Sequence, residues 1–470
     1  FFSRERNAAP VLPSDPFRWQ RIVARGRAPD TPWTRYLLVA AALLVVAGAL
    51  GWGLLRTGPT PGPSTPASSS ALAPSPTRTT SPGPSVPPTT APTPPGTLLA
   101  TSPATTGQVP AALPVPASFR VRSVTTADDR HLYALGVLAC PGGTCPALAA
   151  SDDNGRTWRL RHTFAASASP ATSTGAVLGA PEGGGRLGSV RFANPSIGWV
   201  FGGAVLRTTD GGRTWQPYDH RGGDVIDLET DGTDVVLTTA PRCSDGTCHG
   251  AITVSRAPVG AAAATDVVGT IDGAAGVTGA VVAWHAGVAY ISPTVRPRPG
   301  GLPPGPVVVR PDGLHAVGPQ ACGRGQGVQL VAPAAGPVIF AVCASSGAAG
   351  HVGYAVQAST DRGATWALVS TDRLVLVDAG PTAFAAADGS SLLAVSGGSR
   401  DLHGSMRRST DGGATWASPG RPPALPSQGW AWVGAPGGSV YYALSADPEG
   451  GYWKSIDRGQ TWYAVRVAGS

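Results

Sequence analysis

Few residues in this 470-residue chain have the type and spacing that chemistry needs. The eight His are scattered, and no two stand at the His-x3–5-His spacing that brings two imidazoles onto one metal. No Gly-x-Ser-x-Gly elbow and no phosphate-cradling glycine loop is present. Beyond residue 116 there are three Glu: Glu182, Glu229 and Glu449. Glu182 and Glu449 each sit in a Pro-Glu-Gly loop, which leaves Glu229, at the end of an apolar run, as the one placed for acid–base work. Asp152-Asp153-Asn154 is acidic but lies inside a turn-forming repeat described below. The sequence therefore implies no metal and no cofactor.

The six cysteines are more informative. An even number suits three disulfides in an oxidising compartment, and six thiols allow fifteen pairings. Spacing narrows them. Cys140-Pro-Gly-Gly-Thr-Cys145 and Cys243-Ser-Asp-Gly-Thr-Cys248 are near copies. Each follows one apolar run (131–137; 234–239) and precedes another (147–150; 251–255), so each closes a loop between a second and a third strand. Cys322 precedes the run 327–331 and Cys343 ends the run 337–342, so these two should meet across a hairpin. The expected pairs are Cys140–Cys145, Cys243–Cys248 and Cys322–Cys343.

The elements that must position these groups are marked by a repeat. An octapeptide of the form Ser/Thr-x-Asp-x-Gly-x-Thr-Trp occurs five times. Its fixed positions are Ser151, Asp153, Gly155 and Trp158; Thr208, Asp210, Gly212 and Trp215; Ser359, Asp361, Gly363 and Trp366; Ser409, Asp411, Gly413 and Trp416; and Ser455, Asp457, Gly459 and Trp462. The Trp-to-Trp spacings are 57, 151, 50 and 46, so two units are missing between Trp215 and Trp366. Degenerate units fill the gap. Residues 251–255 lead into an irregular turn near Gly260, and residues 307–310 lead into the tight turn Pro311-Asp312-Gly313. Each octapeptide links two short apolar runs and reads as a hairpin turn. Asp accepts bonds from turn amides, Gly supplies a positive φ, and Trp starts the returning strand with its ring packed beneath the turn. Seven units of about 50 residues predict an all-β fold, a β-propeller of about seven four-stranded blades, with six or eight still open.

The octapeptide resembles the Asp-box, or bacterial neuraminidase repeat. The resemblance implies that each box joins the third and fourth strands of a blade and that its Asp is structural. Strand alternation then puts the three disulfides on the opposite face, where propellers of this family bind ligands. The resemblance also raises an exo-sialidase-like glycoside hydrolase. That activity uses three Arg on a substrate carboxylate, a Tyr–Glu nucleophile pair and an Asp acid/base. The family's Phe/Tyr-Arg-Ile-Pro motif is echoed by Phe119-Arg120-Val121-Arg122, which lacks the Pro. Only Arg120 and Glu229 stand as catalytic candidates under that reading. A narrower resemblance links Gly198-Trp199-Val200-Phe201-Gly202, with an echo at Gly429-Trp430, to the photosystem II assembly-factor family and its bacterial relatives.

Composition divides the chain. Gly (64) and Pro (47) make up about a quarter of it, which excludes a coiled coil, and no Gly-X-Y period suggests collagen. The two are segregated. Residues 57–116 hold 17 of the prolines and a single charge, Arg78, as a disordered polyproline-biased tether would. Residues 36–55 are uncharged and apolar over 20 positions, enough for a helix to cross a bilayer. Ala47-Gly48-Ala49 leaves a cleaved signal peptide open as the competing reading. Residues 1–35 carry seven Arg and three acids, so the positive-inside rule predicts a cytoplasmic tail at 1–35, a transmembrane helix at 36–55, a linker at 56–116 and an extracytoplasmic propeller at 117–470. The net charge of +7 falls mostly on the tail, so no nucleic acid is expected as partner. The expected partners are the membrane, through one helix, and an envelope protein or glycan on the face opposite the octapeptides. The role implied is non-catalytic binding or scaffolding.

Overall fold

The computed structural model describes residues 113–467 except 142, 166–186, 245–246, 273–276, 296–304, 318–321, 323–327, 334–335, 349, 371–373, 378–381, 399–403, 421–428, 437 and 447–449. The expected tail, membrane helix and most of the linker lie outside the described residues. No helix among the described residues is long and apolar enough to cross a membrane.

The described chain is all β, arranged as seven consecutive antiparallel blade sheets, with two small two-stranded pairings beside them: Asp219–His220 parallel to Ala263–Ala264, and a hairpin described below. Blade 1 comprises Arg120–Thr126, Leu132–Cys140, Gly143–Ser151 and Arg159–Thr163. Blade 2 comprises Ser189–Phe192, Gly198–Gly202, Ala204–Thr208 and Gln216–Pro217. Blade 3 comprises Asp224–Thr230, Asp234–Ala240, Ile252–Pro258 and Val267–Ile271. Blade 4 comprises Val277–His285, Val288–Val295, Val307–Arg310 and Gly313–Ala316. Blade 5 comprises Val328–Val331, Ile339–Ala348 and His351–Ser359, with an outer strand split into Ala367–Leu368 and Leu374–Val377. Blade 6 comprises Thr382–Ala386, Leu392–Ser396 and Met406–Ser409, its outer position reduced to the bridge Arg408↔Ala417. Blade 7 comprises Trp430–Gly434, Tyr441–Ser445, Gly451–Ser455 and Tyr463–Arg466.

A blade inside a propeller is covered on both faces, so its inner strands are apolar at successive positions rather than at alternate ones. Val235, Val236 and Leu237 show the consequence. Val235 and Leu237 pack toward blade 2, while Val236 packs toward blade 4. Each of the seven seams holds its own apolar cluster. The seam that closes the ring joins blade 7 to blade 1 through Tyr442, Leu444, Tyr452 and Val467 against Phe119, Val121 and Val124. Lys454, the only Lys in the chain, is buried there and donates to Asn154 Oδ1. Every blade is built from one contiguous stretch, so side-chain packing rather than an exchanged strand closes the ring.

Several details differ from the sequence reading. Leu113–Pro114, assigned to the linker, pair with Leu160 and Arg159 on the outer edge of blade 1, and Val115 is buried. Three apolar residues sufficed to recruit this stretch, although its surroundings are Pro-rich. Blades 5 and 6 depart from four continuous strands, as described. The Gly429-Trp430 echo is not equivalent to Gly198-Trp199. Trp199 lies on the second strand of blade 2, whereas Trp430 lies on the innermost strand of blade 7. Cys343 stands within its strand rather than at the end, because pairing with His351–Ser359 carries that strand on to Ala348.

Candidate functional site

All five octapeptides connect the third strand of a blade to its outer position, in blades 1, 2, 5, 6 and 7. Their geometry is shared. The first residue is buried, and its hydroxyl works twice, donating to Asp Oδ1 at 2.7–2.8 Å and accepting from the Gly amide at 2.8–3.0 Å. The Thr amide donates to Asp Oδ1 at 2.8–2.9 Å, and the Thr hydroxyl to Asp Oδ2 at 2.5–2.7 Å. The indole N–H closes the turn on the Gly carbonyl at 3.0–3.2 Å. The Gly residues have φ between 81° and 96°, and the residue before each also has positive φ. The sequence pattern marked the Gly but not its neighbour, because Asn154, Gly211, Arg362, Gly412 and Arg458 are of three residue types.

These carboxylates are consumed by the turn. The Thr157 hydroxyl and amide hold Asp153 down at about 2, and Thr365 does the same for Asp361. Burial pushes Asp210, Asp411 and Asp457 upward, but the bonds from Thr and from Ser/Thr outweigh it and leave all three lowered. Held below the ordinary carboxylate range, all five are poor general bases near neutral pH.

The two sequence-derived catalytic candidates are not brought together. Arg120, on blade 1, donates its guanidinium to the carbonyls of Ala117 and Phe119. Glu229, on the innermost strand of blade 3, pairs instead with Arg191 on the innermost strand of blade 2. Arg191 also donates to Val190 O and lies over the Phe201 ring, 5.9 Å from its centroid. Two residues before Glu229, Asp227 accepts a bond at 2.9 Å from the Val282 amide of blade 4. Burial, and next the Glu229 carboxylate, push Asp227 up to about 7, and burial also raises Glu229 despite Arg191.

Asp227 has a structural counterpart. Ser123 occupies the fourth position of blade 1's innermost strand, after a bulge between Val121 and Ser123, and accepts the Val190 amide of the next blade at 3.2 Å. Asp227 is fourth in its own innermost strand, after a bulge between Val225 and Asp227. A neutral hydroxyl thus does the seam-bridging job in blade 1, and a carboxylate does it in blade 3. The sequence reading missed Arg191 and Asp227. The available signal was a charge at inner-strand positions where apolar or hydroxyl residues belong.

The three disulfides form as expected: Cys140–Cys145, Cys243–Cys248 and Cys322–Cys343. Strand direction puts the 2–3 loops and the blade-to-blade connections on the face opposite the octapeptides. Cys243 and Cys248 sit on a two-stranded hairpin, Arg242–Ser244 with Thr247–His249, that extends the 2–3 loop of blade 3. Asp224 anchors it by accepting the Cys243 amide at 2.7 Å. Blade 2, between the two stapled blades, turns from its second to its third strand over Gly203 alone. Among the described residues, no group of three or more His, Cys, Asp or Glu could hold a metal ion.

No known family model and no curated protein matches the chain. Solved structures give remote likenesses. A xyloglucanase from Xanthomonas campestris is 16% identical over 75% of this chain and 67% of its own, at a TM-score of 0.30. A prolyl endopeptidase is 11% identical over 74% of this chain and half of its own, at 0.46. An ulvan lyase is 10% identical over 76% and 95%, at 0.39. The class of the protein, a seven-bladed β-propeller, rests on its own strand order and closed ring of seams.

Proposed function

We propose that this chain is an Asp-box propeller, anchored in the cell membrane by residues 36–55 and displayed outside the cytoplasm. It serves as a non-catalytic binding or scaffold module for an envelope protein or glycan, engaged on the face opposite the octapeptides. The observation that carries this reading is the pair of disulfide-closed 2–3 loops on blades 1 and 3, which flank the one-residue connection of blade 2. Two braced walls beside a low blade make a notch, and bracing reduces the ordering cost of recognition loops. Three disulfides also suit an exported domain.

The test is co-sedimentation of the full chain in detergent micelles with purified envelope glycan, wild type against the double variant Cys243→Ser/Cys248→Ser. Binding that falls by about tenfold or more while the melting profile stays cooperative supports the reading. Equal binding by the variant removes this notch as the ligand surface. The glycosidase alternative keeps Glu229 as its carboxylate. It predicts that a fluorogenic sialoside is hydrolysed and that Glu229→Gln abolishes the turnover.

A further inference from the structure

Blades 3 and 4 lack the octapeptide, and a cavity of about 500 Å³ opens between them on the face where the octapeptides of the other blades lie. Blade 4 turns over only Pro311 and Asp312, while blade 3 spends residues 259–266 on a longer loop, of which Ala263–Ala264 pair in parallel with Asp219–His220. The short turn leaves the outer strands close at the base, where a Cβ on Gly269 would stand 2.9 Å from Leu314 Cγ, and open toward solvent above. The volume lies within the range of ligand pockets, about 300–1,000 Å³.

The polar groups in the cavity carry both signs. Arg256 is held in place, paired with Asp234 and lying over the Trp284 ring at 5.7 Å. Only one of its five N–H donors is used on that carboxylate. Arg310 makes no hydrogen bond or ion pair among the described residues, and it shares the cavity with Asp266 and Asp312. An anion entering here meets three carboxylates, and a cation meets two guanidinium groups. A neutral hydroxyl accepts from Arg and donates to Asp, so it can use both. Val267, 49% exposed, together with Pro258 and Pro311, offers apolar surface for the C–H face of a sugar ring.

We propose that the cavity between blades 3 and 4 is a binding site for neutral carbohydrate, separate from the notch on the opposite face. Arg256 and Arg310 donate to ring hydroxyls, and Asp266 and Asp312 accept from them.

Calorimetric titration of the full chain with maltotriose, cellotriose and triacetylchitotriose, each up to about 5 mM, tests the proposal. Trigalacturonate and trilysine serve as charged counter-probes. At least one neutral trisaccharide should bind, and Arg310→Ala and Asp266→Ala should each weaken it about tenfold or more. Both side chains are exposed, so unchanged melting curves will show that the fold is intact. Cys243→Ser/Cys248→Ser should leave this affinity unchanged, which separates the site from the notch. The proposal is overturned if no neutral trisaccharide binds, if the two variants bind like the wild type, or if either charged probe binds more tightly than every neutral one.

Discussion

Blades 5, 6, 7, 1 and 2 form an arc of five whose outer hairpins are all clasped by the octapeptide, whereas blades 3 and 4 form a bare sector. In the arc, every repeated carboxylate is locked by a Thr amide and hydroxyl and held below its ordinary range. In the bare sector, Asp227 and Glu229 are pushed the other way, and Arg256, Arg310, Asp266 and Asp312 line a cavity. The repeated motif identifies the fold because it does the same mechanical job five times. Charged side chains that no such turn holds gather where the repeat has been lost.

The sharpest way to break this comparison is at the turn glycines. Gly413 has φ +96°, and a Cβ there would stand 2.9 Å from Val356 Cγ1. Gly413→Ala should cost about 2–3 kcal/mol in urea unfolding. Gly260→Ala, in the loop of blade 3 with no atom within 4 Å of the new Cβ, should stay within about 0.5 kcal/mol. Equal losses would mean that the clasps are no stiffer than ordinary loops.

A smaller effect is expected at the carboxylates. Asp411→Ala removes the bonds to Ser409 and to the Thr415 amide and hydroxyl, and should cost about 1–2 kcal/mol. Asp312→Ala, in the two-residue turn of blade 4, loses only an exposed contact to His315 and should leave the urea midpoint where it is in the wild type.

The smallest effect is in pH dependence, where the octapeptide carboxylates and the buried Asp227 have opposite signs. A carboxylate lowered in the fold stabilises it above the unfolded pKa and loses that contribution as pH falls. Asp153 and Asp361 should therefore cost stability between about pH 4 and pH 2. Asp227, raised to about 7, binds a proton more readily folded than unfolded, so its contribution is present below about pH 4 and is lost as pH rises through 7. Asp227→Ser installs the hydroxyl that Ser123 uses at the corresponding position. It should flatten the decline between pH 4 and pH 7 and leave the acid limb unchanged, as read from melting temperatures across that range.

The arc was legible in the sequence and the bare sector was not. Five copies of one octapeptide with spacings near 50 gave the blade period, the hairpin and the disulfide face, because a repeated local turn needs the same residues each time. The degenerate units at 251–255 and 307–310 were found only by arithmetic. Their turns do form, at residues 259–266 and at Pro311-Asp312. Glu229 drew notice as a lone acid, but its partner Arg191 is 38 residues away on another blade, a distance that no local pattern spans. Asp227 carries no local pattern of its own; its equivalence to Ser123 lies in the register of the two bulges. The cavity arises where the turn of blade 4 is cut to Pro311 and Asp312, and a sequence pattern records only what is present.

Native-state hydrogen exchange on the full chain tests the contrast between the sectors most directly. The Gly155, Thr157, Gly212, Thr214, Gly363, Thr365, Gly413, Thr415, Gly459 and Thr461 amides all donate to the clasps, although they lie in surface turns. The account predicts that they exchange at least about a hundredfold more slowly than the amides of Gly260, Ala262 and Asp312. Comparable rates in the two sets would contradict it.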